Sequence, residues 1–257
     1  MELASQALRL TSPDGLWELF QRVVPPTPGG PGVIVFVATS GCTWNRLPPG
    51  SGPSGVTAFR WFAEWSQARV WAKFHCLILD ELGSQGELDW SRCAIDSVSV
   101  QAVKGWPLIG PNPTDRGKSG SKFPLVIDRR GLPISLGKSA ANTHDGQALQ
   151  TLVQGIPPIR SRHGPRRRRP VKLRAHKGYD CLHLRRWLRT RGIVPRVARR
   201  GIENSTHLGR HRWVVERTFT RLTGCQRLHR RYARKPDHFL AFTVIAATLI
   251  CYHRLPK

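Results

Sequence analysis

Apolar positions repeat with one period up to about residue 90 and with another after it. In the first stretch the period is helical. GLWELFQRVV (15–24) is a short amphipathic candidate, and PPTPGGPG then interrupts it with a run that no regular element crosses. VIVFVATSGCTWNRLPPGSGPSG follows as a short apolar element with a turn-rich exit. In VTAFRWFAEWSQARVWAKFHCLILDELG (56–83), Phe59, Phe62, Trp65, Val70, Phe74, Leu77 and Ile78 recur at helical spacing, with Arg60, Arg69 and Lys73 between them. The spacing predicts two or three small helices around a Gly/Pro turn, a helix-turn-helix-like arrangement suited to DNA but common to many small helical domains.

From residue 91 onward strands take over. CAIDSVSVQAV (93–103) alternates, while KFPLVID (122–128) and LPISLGKSAA (132–141) form a pair joined by Arg129-Arg130-Gly131, and a helix follows from about Asp145 through Val153. After the basic loop RSRHGPRRRRP come a strand VKLRA (171–175), a helix through CLHLRRWLRTRG, a strand IVPRVARR, and helices around 209–225 and 236–253. Meandering strands followed by β-α-β and then helices predict an α/β sheet with helices on both faces.

Charge narrows the partner. The 257 residues carry 41 Lys and Arg against 16 Asp and Glu, a formal charge of +25, with 40% hydrophobic residues, enough for a substantial core. No fold requires that imbalance, and a polyanion such as nucleic acid explains it. Arg outnumbers Lys 32 to 9, which suits phosphate forks. The apolar run 239–252 is shorter than the roughly 20 residues a membrane span needs and reads as a buried helix. MELASQALRLTSPDG lacks a secretory pattern, and the six scattered cysteines form no C-x-x-C pair, so a reduced cytoplasmic, nucleoid-associated protein is expected.

In so basic a chain the carboxylates stand out. Asp96 lies inside an apolar strand, where Asp is unfavourable unless solvated or partnered. Glu216 lies in RHRWVVERTFTRL, one turn from Arg212 and beside a buried stripe of Val215, Phe219 and Leu222. An ordinary surface ion pair is one explanation. The other is a metal site facing a polyanion, because hard divalent cations take oxygen ligands and leave positions open for phosphate. That reading lacks a third carboxylate.

The chain resembles the DDE transposases of bacterial insertion sequences. The resemblance rests, in order, on SGCTWNRLPP (40–49), ELDWSRCAIDSVSV (87–100), GPNPTDRGKSGSK (110–122), SAANTHD (139–145), KGYD (177–180), LGRHRWVVERT (208–218) and the tail HFLAFTVIAATLICYHRL. It implies an RNase H-like mixed sheet with flanking helices over 89–257, preceded by a small helical DNA-binding domain over 1–88. That first unit is expected to be incomplete, because PPTPGGPG stands where relatives carry a longer basic helix. The resemblance also implies a homodimer on double-stranded DNA, with transposon ends cut and joined to target DNA through two Mg²⁺ (or Mn²⁺) ions held by Asp, Asp and Glu. Carried over residue by residue, the first is Asp96 and the last Glu216, and the second position, just before Lys-Gly-Tyr, is His176. The spacing is kept, 80 residues from Asp96 to His176 and 40 more to Glu216.

Imidazole cannot bridge two Mg²⁺ ions as a carboxylate does, so strand cleavage and transfer are expected to be impaired. The alternative is a catalytically inactive, transposase-derived DNA-binding protein. Asp180 and Asp145 read as helix-capping residues rather than replacements. Phosphate contact needs only charge and geometry, so the DNA-binding set is Arg160, Arg162, Arg166, Arg167, Arg168, Arg169, Lys172, Lys177, Arg185, Arg186 and Arg212. Trp213 can stack on a displaced base or pack against the final helix.

Overall fold

The computed structural model describes residues 14–24, 31–103, 105–199 and 205–256, with backbone alone for 14 and 205–212. Four helices precede the sheet among these residues: α1 (Asp14–Gln21), α2 (Gly32–Ser40), α3 (Gly55–Gln67) and α4 (Val70–Ser84). The apolar run after PPTPGGPG is thus a helix. α2 is apolar all round because it is buried all round, with Val33, Ile34, Val35, Val37 and Ala38 inside. It stops at Gly41, whose φ of 71° and N–H to Val37 O form a left-handed cap. The Ser54 hydroxyl caps α3 by accepting from Thr57 N at 3.2 Å. Residues 25–30 of the Pro/Gly run lie outside the described residues.

The sheet contains β1 (Cys93–Ala102), the two-residue β2 (Gly110–Pro111), β3 (Ser119–Ile127), β4 (Pro133–Leu136) and β5 (Ser139–Ala140). After α5 (Gly146–Gln154) come β6 (Lys172–Ala175), α6 (Leu182–Thr190) and β7 (Val194–Val197). α7 (Ser205–Thr223), β8 (Arg230–Arg231) and α8 (Pro236–Tyr252) complete the order. β4, β3 and β1 pair antiparallel, then β6 and β7 continue in parallel on the other side of β1. The parallel steps run through α5 and α6, since parallel neighbours need a crossover.

Alternation divides the sheet into two faces. Cys93, Ile95, Leu173, Ala175 and Val197 are buried in the core, whereas Arg92, Ala94, Asp96 and Arg174 on the opposite face are only partly covered. α5 covers that buried face, where Ser135, in register with Val126 and Ile95, donates its hydroxyl to Leu152 O; α8, inside the core along almost its whole length, lies on the other face with Phe239 against Phe123. It packs against α4 and α3, and the Phe62 and Phe242 rings stack with centroids 4.4 Å apart. No helix among the described residues is long and apolar enough to cross a membrane. All six cysteines are free.

The turn between β3 and β4 anchors α7. Asp128 accepts from Arg130 N and Leu132 N through one oxygen and from Asp89 N through the other, while Gly131 takes φ of 90°. The Thr218 hydroxyl then donates to Gly131 O and Arg217 to Arg130 O, each at 2.8 Å. These bonds set the rotation of α7 over β1 and hence the direction of every residue along it.

Candidate active site

Asp96 sits mid-way along β1, paired across β3 with Leu125. The parallel register of Ala94 with Arg174 and Ile95 with Ala175 brings the next position, His176, opposite Asp96 just beyond the end of β6. His176 caps the single 3-10 turn Lys177–Tyr179, and its Nδ1 accepts from Gly178 N at 2.9 Å. Its Nε2 lies 3.4 Å from Asp96 Oδ1 and 3.4 Å from Asp145 Oδ2. The Tyr179 ring closes over it edge-on at 4.9 Å. Imidazole therefore bridges two carboxylates, one from β1 and one from the start of α5.

Asp145 was expected to cap its helix, and here the structure corrects the sequence reading. Its backbone is helical and its side chain makes no cap bond. The carboxylate instead accepts from Ser97 Oγ at 2.7 Å and from Lys122 Nζ at 2.9 Å, besides facing His176. Burial alone would raise this carboxyl, but the His176, Ser97 and Lys122 bonds outweigh it and hold it well below the usual carboxylate range. Asp96 Oδ1 is held by Ser97 N at 2.8 Å. Ser97, Lys122 and Asp145 are thus site residues that sequence reasoning missed. Ser97 lies one position from Asp96, but only the packing of α5 against β3 brings all three together.

Asp180 does not replace the missing carboxylate and does not cap α6. It takes two bonds from Arg185, at 2.7 and 2.9 Å, and Arg185 also donates to Val197 O. Arg185, read as a DNA contact, is therefore turned inward and spent on tying α6 to β7. Glu216 lies on an exposed face of α7, and among the described residues no group of three or more His, Cys, Asp or Glu side chains converges to hold a metal ion. The structure brings Asp96 and His176 together and adds Asp145.

The donor set argues further against an ion here. A metal-ligating histidine donates its second ring N–H to an acceptor. His176 does the reverse, because its Nδ1 accepts from Gly178 N, which leaves the proton on Nε2, pointed at the carboxylates. Ligation through Nε2 would move that proton to Nδ1, against the Gly178 N–H. Lys122 already compensates Asp145. These residues do not fit a two-ion Mg²⁺ centre.

Most of the remaining basic set lies on the surface. Arg160, Arg162, Arg167, Lys172, Lys177 and Arg186 are exposed, with the Arg167 guanidinium 5.8 Å over the Trp90 ring. Arg166 is bound to both oxygens of Asp80, at 2.8 and 2.9 Å, and Arg168 and Arg169 donate to Gln154 O and Arg191 O. The side chain of Arg212 is outside the described residues. Trp213 is 51% exposed, with the Arg217 guanidinium stacked on it at 4.6 Å.

An antiparallel β4-β3-β1 edge continued by parallel β6 and β7, with an acidic residue in mid-β1, defines an RNase H-like protein. The chain belongs to the Transposase DDE domain family, whose model matches residues 90–252, and a second model, a putative transposase of the IS4/5 family, matches residues 13–75. It is 43% identical over 153 residues to a "Putative transposase for insertion sequence element IS402" of Burkholderia cepacia, spanning 60% of this chain and 72% of that protein. It is also 35% identical over 116 residues to an "Insertion element IS402 uncharacterized 16.2 kDa protein" of the same organism, covering 39% of this chain and 79% of the relative. The family generally uses divalent metal ions.

Proposed function

We propose that this insertion-sequence transposase binds double-stranded DNA, at transposon ends and at the target, as a homodimer, and that His176 impairs its strand cleavage and strand transfer. Residues 1–88 are assigned to end binding and 89–257 to the catalytic domain. The observation that carries the reading is the position of His176 Nε2, 3.4 Å from each of two carboxylates where the family pattern has an acid. Asp96 and Glu216 keep the outer two positions of that pattern, and Asp96 is the residue that would face a scissile phosphate. DNA binding depends on the exposed arginines and lysines, and neither the His176 change nor the Pro/Gly segment removes them. Because both ring nitrogens are already hydrogen-bonded, a second reading, a DNA-binding protein that keeps the fold without the chemistry, draws support from the same cluster.

Cleavage and strand transfer on DNA carrying the element's ends, with Mg²⁺ or Mn²⁺, separates the two. Weak activity in the unmodified chain, lost in Asp96→Ala and raised at least 10-fold in His176→Asp, fits an impaired transposase. No activity in the unmodified chain, with salt-sensitive duplex binding intact, fits the second reading. Robust metal-dependent activity in the unmodified chain, abolished by Asp96→Ala, would overturn the proposed role of His176.

A further inference from the structure

We propose that Arg174 and Arg196, side by side on the sheet face that carries Asp96, form a seat for one phosphate group, occupied in the DNA complex by a backbone phosphodiester. The second half of that statement rests on the DNA-binding reading above; the first does not.

The register puts the two residues together. Ala94 of β1 pairs with Arg174 of β6, and Arg174 pairs with Arg196 of β7. Residues two apart on a strand share a face, so Arg174 lies one step from His176, and Ala94 one step from Asp96. Arg92 falls on the same face, and Arg92 and Arg174 together line a small cavity that Val214 of α7 also borders.

Arg174 and Arg196 lack, within the described residues, the acceptors that such charge needs. Among the described residues Arg174 and Arg196 make no ion pair, and the Nε of Arg174 is buried with no hydrogen-bond partner. Asp128 borders the same cavity, but its oxygens are committed to the N–H groups of Asp89, Arg130 and Leu132. Burial, then the neighbouring Arg92 and Arg196, pull the Arg174 guanidinium below its ordinary value. A half-buried cation beside like charges lowers stability, and an apolar β-branched residue would serve the strand better. An arginine used structurally has acceptors around it, as buried Arg231 does with the carbonyls of Pro107, Ala233 and Arg234. Two guanidiniums on adjacent strands offer the forked donors that a tetrahedral oxyanion accepts.

The test uses the full chain and two probes. Inorganic phosphate, added against chloride at equal ionic strength, should raise the melting temperature of the unmodified protein and leave Arg174→Leu unchanged. Without phosphate, Arg174→Leu should melt no lower than the unmodified chain. In fluorescence anisotropy with a short duplex over a salt series, Arg174→Leu should bind more weakly, with the log K against log salt slope reduced by about 1. Arg174→Lys should keep the slope and weaken the phosphate response, because a lysine is charged without being forked. Equal stabilisation of both proteins by phosphate, or a lower melting point in Arg174→Leu with an unchanged slope, would overturn the seat. Phosphate protection through Arg174 with an unchanged duplex slope would mean that the seat takes a free anion and not the DNA backbone. Phosphate protection in a chain that binds no duplex would sink the DNA reading and leave the seat standing.

Discussion

His176 behaves as a hydrogen-bond bridge, and its closest constraint is Gly178. A Cβ at position 178 would lie 2.4 Å from Cε1 of His176, so Gly178→Ala must expel the ring from its place between Asp96 and Asp145. The expected cost is about 1–3 kcal/mol of stability in urea unfolding, and a change below a few tenths would argue that the bridge does not hold the site. His176→Asp should show a different signature: less stable than the unmodified chain in EDTA, through repulsion among neighbouring carboxylates, and stabilised by Mg²⁺ when the unmodified chain is not. Thermal melts with and without the ion check both halves. The position of His176 was readable from spacing and from the Lys-Gly-Tyr motif. Asp145 was not, because an acidic residue just ahead of a helix matches a cap, and only the long-range contacts to Lys122 and Ser97 reveal its other use.

Two buried titratable residues make the acid response readable as well. Burial pulls His75 from 6.5 down to about 4, with the Pro133 carbonyl opposing, so this residue stays neutral in the fold. The unfolded chain binds the extra proton first, so its contribution is complete above pH 6.5 and is lost as pH falls toward 4, by up to about 3 kcal/mol. Burial raises Asp128 to about 6 despite its backbone bonds, and the sign reverses: its contribution is complete below pH 3.8 and is lost as pH rises through 6. The two slopes oppose each other over the same window. Asp128→Asn should therefore leave a protein whose stability falls more steeply between pH 6.5 and 4 than that of the unmodified chain, measured by urea unfolding at several pH values. Parallel curves would refute the pairing.

Among the elements, α7 is tied to a turn far from it in sequence. Thr218 and Arg217 bond to the carbonyls of the β3–β4 turn, and a Cβ on Gly131 would meet Thr218 Oγ1 at 2.8 Å in a backbone that already has φ of 90°. Gly131→Ala should cost about 1–3 kcal/mol and loosen α7, and faster amide exchange across 213–223 than across α8 is the diagnostic readout. The turn itself was legible as Arg129-Arg130-Gly131 between two alternating runs. That a helix nearly 90 residues later would dock on it was not, because Thr218 carries no local mark of its partner. The helical and strand periods gave most elements correctly, whereas α2, short and apolar on every side, had no period to read.

For the molecule as a whole, charge was legible and its allocation was not. Composition led us to expect a polyanion partner, yet Arg185 and Arg166 are held by Asp180 and Asp80, while Arg174 and Arg196, unremarkable in the sequence, make no ion pair among the described residues. Duplex affinity should accordingly fall steeply with salt, and Arg186→Ala should weaken it about uniformly across sequences, whereas Arg185→Ala should chiefly lower the melting temperature. Anisotropy and thermal melts on the same pair of variants decide between these outcomes. The packing of α8 against α3 and α4 also predicts one cooperative unfolding transition for the early helices and the sheet, with calorimetric and van't Hoff enthalpies in agreement.

That last contact has a consequence during synthesis. α8 leaves the ribosome after α1–α7, and it packs against helices made more than 150 residues earlier. Until it arrives, Phe20 of α1 covers Trp65, Trp71 and Phe74 but the side of α3 that carries Phe62 lacks its partner, and a strongly cationic nascent chain waits among ribosomal RNA with its core open. Translation that stops short of residue 236 should therefore yield a species prone to aggregation and degradation rather than a smaller working protein.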